Sequence, residues 1–247
     1  MNIAVCLNQV PDTTTRIKIA ADAQRIETGG VNFVVNPYDE YAIEEALKVR
    51  EKHGGTVTIF SVGDDSFQAN LRKAFAMGAD KAVLIKADAK DSFGVATALA
   101  DAIKSSFGGV PDLVLLGKES TDFNDAQVGP MLAELLDIPA VTVVVKFETD
   151  GTSATLEREI EGGKELIETT LPLLFTAQKG LNTPRVANMK GIMEAKKKPI
   201  DVKEVALNAS IRSTLVRLEK PPEKQAGKIL PSAAALAQAL HSEAKVI

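Results

Sequence analysis

Short apolar runs alternate with amphipathic helical patterns through the first two-thirds of this chain. The apolar runs that favour strands occupy residues 3–7, 56–62, 82–85, 113–116 and 141–145. Helical periodicity predicts helices between them, over 38–51, 66–77, 92–105 and 125–136. Apolar runs with little polar alternation are typical of strands buried on both faces of a parallel sheet. The pattern therefore predicts an α/β fold with a doubly wound, mostly parallel sheet of the Rossmann-like type.

Two β-hairpin insertions and a C-terminal arm are also predicted. The hairpins would pair 17–19 with 24–26, and 152–160 with 164–169. After Thr183 the pattern loosens, and the prolines and glycine in 219–228 exclude regular structure there. A last helix over 232–245 is too short to be stable alone and must dock on the main domain or on another chain. We therefore expect an α/β domain over 1–195 and an extended arm over 196–247 that ends in a helix.

Composition narrows the class of protein. The 247 residues carry a net charge of −4 and are 45% hydrophobic and 25% charged, which excludes a disordered chain. Negative charge and the absence of Trp disfavour nucleic-acid binding. No apolar run approaches the roughly 20 residues of a membrane span, and no basic stretch precedes the first strand, so neither membrane insertion nor a signal peptide is expected. A single cysteine, Cys6, favours a cytoplasmic location.

Motifs of common enzyme classes are missing. The sequence has no G-x-G-x-x-G, no G-x-x-x-x-G-K-[ST] and no G-x-S-x-G. His53 and His241 have no neighbouring Cys or His, which argues against a metal site. Cys6, in the first strand, is more typical of a buried structural thiol than of a nucleophile. We therefore predict no catalytic residue, and hydrolase or dehydrogenase activity is disfavoured.

A ligand site is predicted where the strand order of the sheet reverses. Ligands of open α/β sheets bind there, beyond the carboxyl ends of the strands. Three segments should meet at this place: 6–8, 62–64 and the long loop 117–130. Backbone N–H groups at 125–128 would open the next helix and could bind a phosphate, and Gly129 would let a ligand or a neighbouring strand approach closely. From spacing alone, a ligand site and an ordinary helix cap in a solvated loop are both open.

The segment 36–40 precedes the first long helix. Asn36 supplies a capping side chain, and Pro37 suits the first helical position. Asp39 and Glu40 complement the helix dipole. Because two carboxylates would repel a phosphate, the segment favours a structural cap, although Asn36 could still contact an adenine edge.

Several motifs together resemble the β subunit of electron-transfer flavoproteins. They are the first strand, NPYDEYAIEEALKVRE, KAFAMGADKAVLI, LVLLGKESTDFNDAQVGPMLAELL, EREIEGGKELIETTLPLLFT, LNTPRVANMKGIMEAKKKP and the tail EKPPEKQAGK. They occur in order over nearly the whole chain, with mild departures near Leu156 and Phe175. The resemblance implies a heterodimer with an α subunit, which the C-terminal arm wraps. It also implies FAD bound mainly by the α subunit, near the interface.

The resemblance further implies an adenine nucleotide buried in the β subunit. This is AMP in the simple carriers and a second FAD in electron-bifurcating relatives that oxidise NADH. Its phosphates would meet the corner 126–128. By position, the contacts would come from Cys6, Asn8, Asn36, Pro37, Tyr38, Asp39, Val62, Gly117, Ser120, Thr121, Asp122, Asn124, Asp125, Ala126, Gln127, Val128 and Gly129.

The phosphate corner departs from the simple mitochondrial carriers. They have N-Q-T-G where this chain has A-Q-V-G at 126–129, so Val128 supplies no hydroxyl. A-Q-V-G is closer to the bifurcating relatives, whereas Phe123 and Asn124 stand where those relatives usually have G-D. AMP and a second FAD both stay open, with AMP favoured. A stand-alone adenine-nucleotide sensor is a third alternative, which the arm disfavours.

The segment 181–193 resembles the loop that docks family members on acyl-CoA dehydrogenases. Met189 aligns with the family's leucine anchor, so it either fills a partner's apolar pocket or packs on the α subunit. The basic stretch 196–198 either steers acidic partners or is only solvated.

The function that the resemblance implies is to carry electrons from dehydrogenases, as in fatty acid β-oxidation, to a membrane quinone oxidoreductase or another acceptor. The candidate docking residues are Leu181, Pro184, Arg185, Met189 and Ile192.

Overall fold

The computed structural model describes residues 1–207, 209–224 and 226–247. These residues form two compact units. The larger unit comprises 1–17 and 27–215, and the smaller comprises 18–26 and 216–247. The candidate site lies entirely within the larger unit.

The larger unit alternates strands and helices as predicted. Its strands are β1 (Asn2–Cys6), β2 (Gln9–Pro11), β3 (Phe33–Val35), β4 (Thr56–Val62), β5 (Lys81–Lys86), β6 (Leu113–Gly117), β7 (Ala140–Thr149), β8 (Ser153–Ile160), β9 (Gly163–Thr170), β10 (Leu173–Ala177) and β11 (Asp201–Glu204). Its helices are α1 (Pro37–His53), α2 (Gln68–Met77), α3 (Ser92–Phe107), α4 (Val128–Leu136) and α5 (Met189–Ala195), and a 3₁₀ turn at Asp65–Phe67 precedes α2.

Nine strands form one sheet in the order β11-β5-β4-β1-β6-β10-β7-β8-β9. Neighbours from β11 to β7 are parallel, and the β7–β8 and β8–β9 pairs are antiparallel. After β1, the chain adds β4 and β5 on one side of β1 and then β6 on the other, so the strand order reverses beside β1. This reversal defines a doubly wound sheet, and the predicted fold class is confirmed.

Helices cover both faces of the sheet because its central strands are apolar on both sides. Along β1, Ile3 and Val5 enter one buried cluster, while Ala4 and Cys6 enter another, as the two-residue period of a strand requires. The first cluster also contains apolar residues of α1 and α2, and the second contains those of α3 and α4. The carboxyl ends of the central strands are therefore held between two helical layers.

One predicted hairpin is confirmed in full, and the other is reduced to a short antiparallel contact. The pair predicted over 152–160 and 164–169 is the antiparallel pair β8–β9. Residues 17–19 and 24–26 contain only a single antiparallel bridge, between Ile19 and Ile26. Their neighbourhood buries little apolar surface, and Ile17 is 41% exposed. A two-stranded ribbon without a hydrophobic face is only marginally stable.

Two strands that the apolar runs did not predict complete the sheet. β10 lies between β6 and β7. Its apolar residues follow the end of β9 after only two residues, so the sequence pattern does not distinguish β10 from the β8–β9 hairpin. β11 has the sequence DVKE and pairs only with β5 at the edge of the sheet. A charged edge strand lacks the apolar signal that buried strands show.

The smaller unit contains α6 (Ala233–Ala239), which continues into a π-helical turn at Leu240–Ala244. Ser232 caps α6 by accepting a hydrogen bond from the N–H of Ala235 at 3.2 Å. None of the unit's described residues is buried, and Leu236 is 48% exposed. The predicted arm ending in a helix is confirmed, whereas its boundary after residue 195 and its partner stay predictions.

Candidate nucleotide-binding site

The carboxyl ends of β1, β4 and β6 open on a cavity of about 600 Å³. Its volume falls within the roughly 300–1,000 Å³ of small-molecule sites. It lies beside β1, where the strand order reverses and where open α/β sheets bind ligands. Thirteen of the residues expected to contact a nucleotide line it: Cys6, Asn8, Asn36, Asp39, Val62, Gly117, Ser120, Asp122, Asp125, Ala126, Gln127, Val128 and Gly129.

The other four expected contacts lie outside the lining: Pro37, Tyr38, Thr121 and Asn124. Tyr38 is next to a lining residue, because the ammonium of Lys118 lies 5.0 Å from the centre of the Tyr38 ring. The backbone N–H of Thr121 donates a hydrogen bond to the side-chain oxygen of Asn36. The structure thus places these four residues next to lining residues along the chain and not in the lining itself.

Asp39 joins the ends of β1 and β6 beneath the cavity. One carboxylate oxygen accepts the N–H of Asn8 at 2.7 Å, and the other accepts the N–H of Gly117 at 2.8 Å. Burial raises the pKa of Asp39 to about 7, against the opposite effect of these donors. Burial, followed by the nearby Asp39 charge, also raises the pKa of the Cys6 thiol, which stays protonated at neutral pH. Asp39 thus sets the spacing of two cavity walls.

Stability is expected to depend on the protonation of Asp39. Its pKa is higher in the folded chain than the ordinary value of 3.8, so the folded state binds this proton more tightly. The free energy of unfolding should therefore fall as the pH rises from about 4 to about 7. Asp39→Asn should lose this fall, and it should cost about 1–3 kcal/mol because one strand-end N–H loses its acceptor.

Denaturant titrations of the full chain at several pH values measure both effects. Asp201→Asn is the control, since Asp201 is exposed on the edge strand β11. An identical pH dependence in wild type and Asp39→Asn would show that Asp39 does not titrate in this range.

Asn36 occupies the N-cap position of α1, but its side chain does not cap the helix, contrary to its predicted role. Its amide nitrogen donates to the carbonyl oxygen of Glu119 at 2.9 Å, and its amide oxygen accepts the N–H of Thr121 at 3.3 Å. Its side chain accepts no backbone N–H from the first turn of α1. Because both ends of the amide bind the long loop after β6, Asn36 fastens that loop to the start of α1.

The N-terminal end of α4 faces the cavity without a side-chain cap. In the part of the chain that the structure describes, the N–H groups of 126–129 donate to no protein acceptor. Asn124 and Ala126 have positive φ angles of 55° and 54°, which a helix excludes, so α4 begins at Val128 and not at residue 125. Left-handed residues next to right-handed ones curve the backbone into anion-binding nests. This corner can therefore bind a phosphate through backbone donors and the helix dipole.

Two glycines allow close packing around the cavity. A Cβ on Gly117 would lie 2.5 Å from a carboxylate oxygen of Asp39, and one on Gly129 would lie 2.6 Å from the methyl group of Thr176 on β10. Of the two reasons expected for Gly129, the close approach of a neighbouring strand is therefore the one observed. A larger side chain at 129 would disturb the packing of α4 on the sheet before it reached a phosphate.

Two lining stretches were missed by the sequence reasoning: 89–92, before α3, and 213–215. Asp91 connects them. One of its carboxylate oxygens caps α3 by accepting the N–H of Gly94 at 2.8 Å, and the other accepts the N–H groups of Arg212 at 2.6 Å and Ser213 at 3.0 Å. The position of 89–92 after β5 could have indicated the first stretch. No periodic signal marks the second.

The start of the predicted docking segment is fastened to α1. The Arg185 guanidinium binds Glu44 at 2.8 Å and Glu51 at 2.5 Å, and these partners, Glu44 first, raise the pKa of Arg185 above its usual value. Asn182 donates to the Glu45 carboxylate at 2.8 Å. Leu181 and Pro184 are half-buried here. The Arg185 side chain, expected to contact a partner, is thus engaged within the chain.

The helix α5 presents an apolar face to solvent. On its inner side, a Cβ on Gly191 would lie 2.5 Å from a carbonyl oxygen of α2, and Ala195 is buried. On its outer side, Met189 is 74% exposed, and Ile192 and Met193 are exposed as well. Residues spaced by three and four positions share one side of a helix. These three side chains, the α5 outer face, form one exposed apolar surface.

The basic stretch 196–198 is partly structural. The Lys198 ammonium donates to the carbonyl oxygen of Ala79 at 2.7 Å and lies 5.3 Å from the ring centre of Phe75. Lys196 and Lys197 are exposed. Within 196–198, Lys196 and Lys197 are therefore the residues whose charge faces solvent.

Neither a metal site nor a membrane span is found in the described residues. No group of three His, Cys, Asp or Glu side chains there is placed to hold a metal ion. Their helices also lack the length and hydropathy that crossing a bilayer requires.

The fold and the cavity define a doubly wound α/β protein with a nucleotide-sized site at the reversal of strand order. A family model described as electron transfer flavoprotein domain matches residues 25–208. The chain is 43% identical over 262 residues to electron transfer flavoprotein subunit beta of Bacillus subtilis (strain 168), covering 100% of both chains. It is 38% identical over 257 residues to the mitochondrial subunit beta of Oryza sativa subsp. japonica, again covering 100% of both. The chain belongs to the electron-transfer flavoprotein family and, within it, to the β subunits.

Proposed function

We propose that this chain is the β subunit of a heterodimeric electron-transfer flavoprotein. With an α subunit, it would carry electrons from dehydrogenases, such as acyl-CoA dehydrogenases, to a membrane quinone oxidoreductase or another acceptor. When bound, FAD supplies the redox chemistry. The chain itself would contribute no general acid or base. It would cover the interface side of an FAD held mainly by the α subunit, bind an adenine nucleotide and present a docking surface.

The observation that carries this proposal is the cavity at the carboxyl end of β1. It supports the proposal because the chain belongs to the electron-transfer flavoprotein family. The cavity is large enough for a mononucleotide, and one of its corners, at α4, offers free backbone N–H donors. Gln127 and Val128 at that corner are uncharged, and a helix N-terminus with no side-chain cap favours an anion. These features suit the phosphate of AMP, with Asn8 and Ser120 as polar side chains of the lining.

A second candidate is an electron-bifurcating β subunit that binds a second FAD and oxidises NADH. Val128 favours it, since this position supplies no hydroxyl to a terminal phosphate. Against it, Phe123 and Asn124 differ from the residues usual in such relatives. AMP is therefore the ligand that we propose first.

The α5 outer face supports a docking role for the segment 181–193. It is apolar, helical and exposed, and it stands on a base fixed by the Arg185 ion pairs and by the close contact at Gly191. Methionine side chains adapt to irregular apolar pockets. We propose that Met189 is the anchor that enters a pocket of a partner dehydrogenase.

Purifying the chain with its α subunit and extracting the bound small molecules tests these proposals together. We expect a yellow heterodimer that releases one FAD and one AMP. Two FAD and no AMP would instead establish the bifurcating alternative. A colourless heterodimer, or a chain that stays monomeric and binds a nucleotide alone, would contradict the electron-carrier proposal.

A further inference from the structure

Residues 213–215 line one side of the cavity, and Arg212 precedes them. The backbone N–H groups of Arg212 and Ser213 both donate to one carboxylate oxygen of Asp91. The Arg212 guanidinium lies 5.0 Å from the ring centre of Phe93, in the first turn of α3. Ser213, Thr214 and Leu215 then line the cavity. The segment thus reaches the site and is attached at the start of α3.

The attachment of this segment is concentrated on Asp91. Apart from these two hydrogen bonds, none joins residues 209–215 to the rest of the larger unit within the described part of the chain. Leu215 is 42% exposed, so burial adds little there. Segments with few hydrogen bonds and little burial open most readily.

Both carboxylate oxygens of Asp91 are used, which explains why a carboxylate occupies this position. Oδ1 caps α3 by accepting the N–H of Gly94, and Oδ2 accepts the N–H groups of the segment. Because Asp91 fills the N-terminal end of α3 with its own negative charge, that end does not attract a phosphate, whereas the end of α4 has no side-chain cap. Asp91 therefore both blocks an anion at α3 and holds a segment that lines the cavity.

We propose that Asp91 is a positioning residue that latches residues 212–215 over the bound nucleotide and so limits how fast the nucleotide leaves. The proposal rests on the nucleotide site proposed above. Without the latch, the segment would open more often and both binding and release of the nucleotide would be faster. Asp91 would act on retention without itself contacting the nucleotide.

The variant Asp91→Asn separates the latch from the helix cap. Asparagine is as good a helix cap as aspartate, but its amide has only one acceptor oxygen, so it cannot serve both α3 and the segment. Asp64→Asn is the matched control: Asp64 caps the 3₁₀ turn at Ser66 and does not line the cavity. The experiment uses the heterodimer with its α subunit, loaded with AMP, and measures the rate of AMP release.

We expect Asp91→Asn to release AMP about tenfold faster, as the loss of two backbone hydrogen bonds implies, and Asp64→Asn to match wild type. Amide hydrogen exchange at 212 and 213 should rise in Asp91→Asn alone, with an unchanged unfolding temperature. Unchanged release and exchange in Asp91→Asn would overturn the latch while leaving the nucleotide site intact. A wild-type heterodimer that binds no AMP and no second FAD would instead overturn the nucleotide site, and the latch with it.

Discussion

Replacing Val128 by aspartate is expected to lower the affinity for AMP by about 100-fold, or roughly 2.7 kcal/mol. Val128 is the first residue of α4, and its neighbours at 126–129 offer backbone N–H groups to the cavity. An aspartate there would place a negative charge where we propose that the phosphate binds. The same charge suits the helix dipole, since the first turn of α4 has no acidic residue, so the fold should be retained.

Val128→Thr is the control for this variant. Threonine has nearly the shape of valine and adds a hydroxyl, so AMP binding should be kept or strengthened. Equilibrium binding of AMP to the heterodimer, together with its unfolding temperature, separates an electrostatic effect from a folding defect. Stoichiometric AMP in Val128→Asp would place the phosphate away from α4.

Truncating Met189 to alanine is expected to raise the apparent KM of a partner dehydrogenase for the heterodimer by about tenfold, as loss of one apolar anchor at an interface does. Met189 is 74% exposed on the α5 outer face, and its removal leaves the inner contacts of α5 with α2 in place. The bound FAD and AMP and the unfolding temperature should therefore not change.

Leu166→Ala is the matched control, because Leu166 is 65% exposed on β9 and lies outside the docking segment. Steady-state assays with a partner dehydrogenase measure the change in KM. If Met189→Ala instead releases FAD or the α subunit, then Met189 belongs to the subunit interface and not to a docking anchor.

Much of the sheet could be predicted because buried strands carry strong local signals. The run at 56–62 gave its strand with correct ends, since residues inside a parallel sheet are apolar on both faces. The meeting of 6–8, 62–64 and the loop after β6 followed from topology alone, because parallel strands present their carboxyl ends at one edge. β11 escaped prediction because an edge strand needs no such pattern.

Local sequence patterns predicted the role of Asn36 and the start of α4 incorrectly. Asn36 and Pro37 have the sequence of a helix cap, but the Asn36 amide binds the loop at Glu119 and Thr121, which are distant along the chain. The helix predicted from residue 125 starts at Val128, because the positive φ of Ala126 is a property of the folded loop. Hydrogen bonds between distant segments override local preference in both places.

By itself, the sequence determined the fold class, the edge of the sheet where the cavity opens and the family. The fold class and the edge of the sheet depend on the alternation of apolar strands with helices, and the family depends on motifs in a fixed order; both can be recognised without coordinates. Only the tertiary structure decided that Asp39 ties β1 to β6, that α4 and not α3 offers a free N-terminal end, and that Met189 faces solvent. These depend on which distant groups come within hydrogen-bonding or packing distance, and that is settled only when the chain folds.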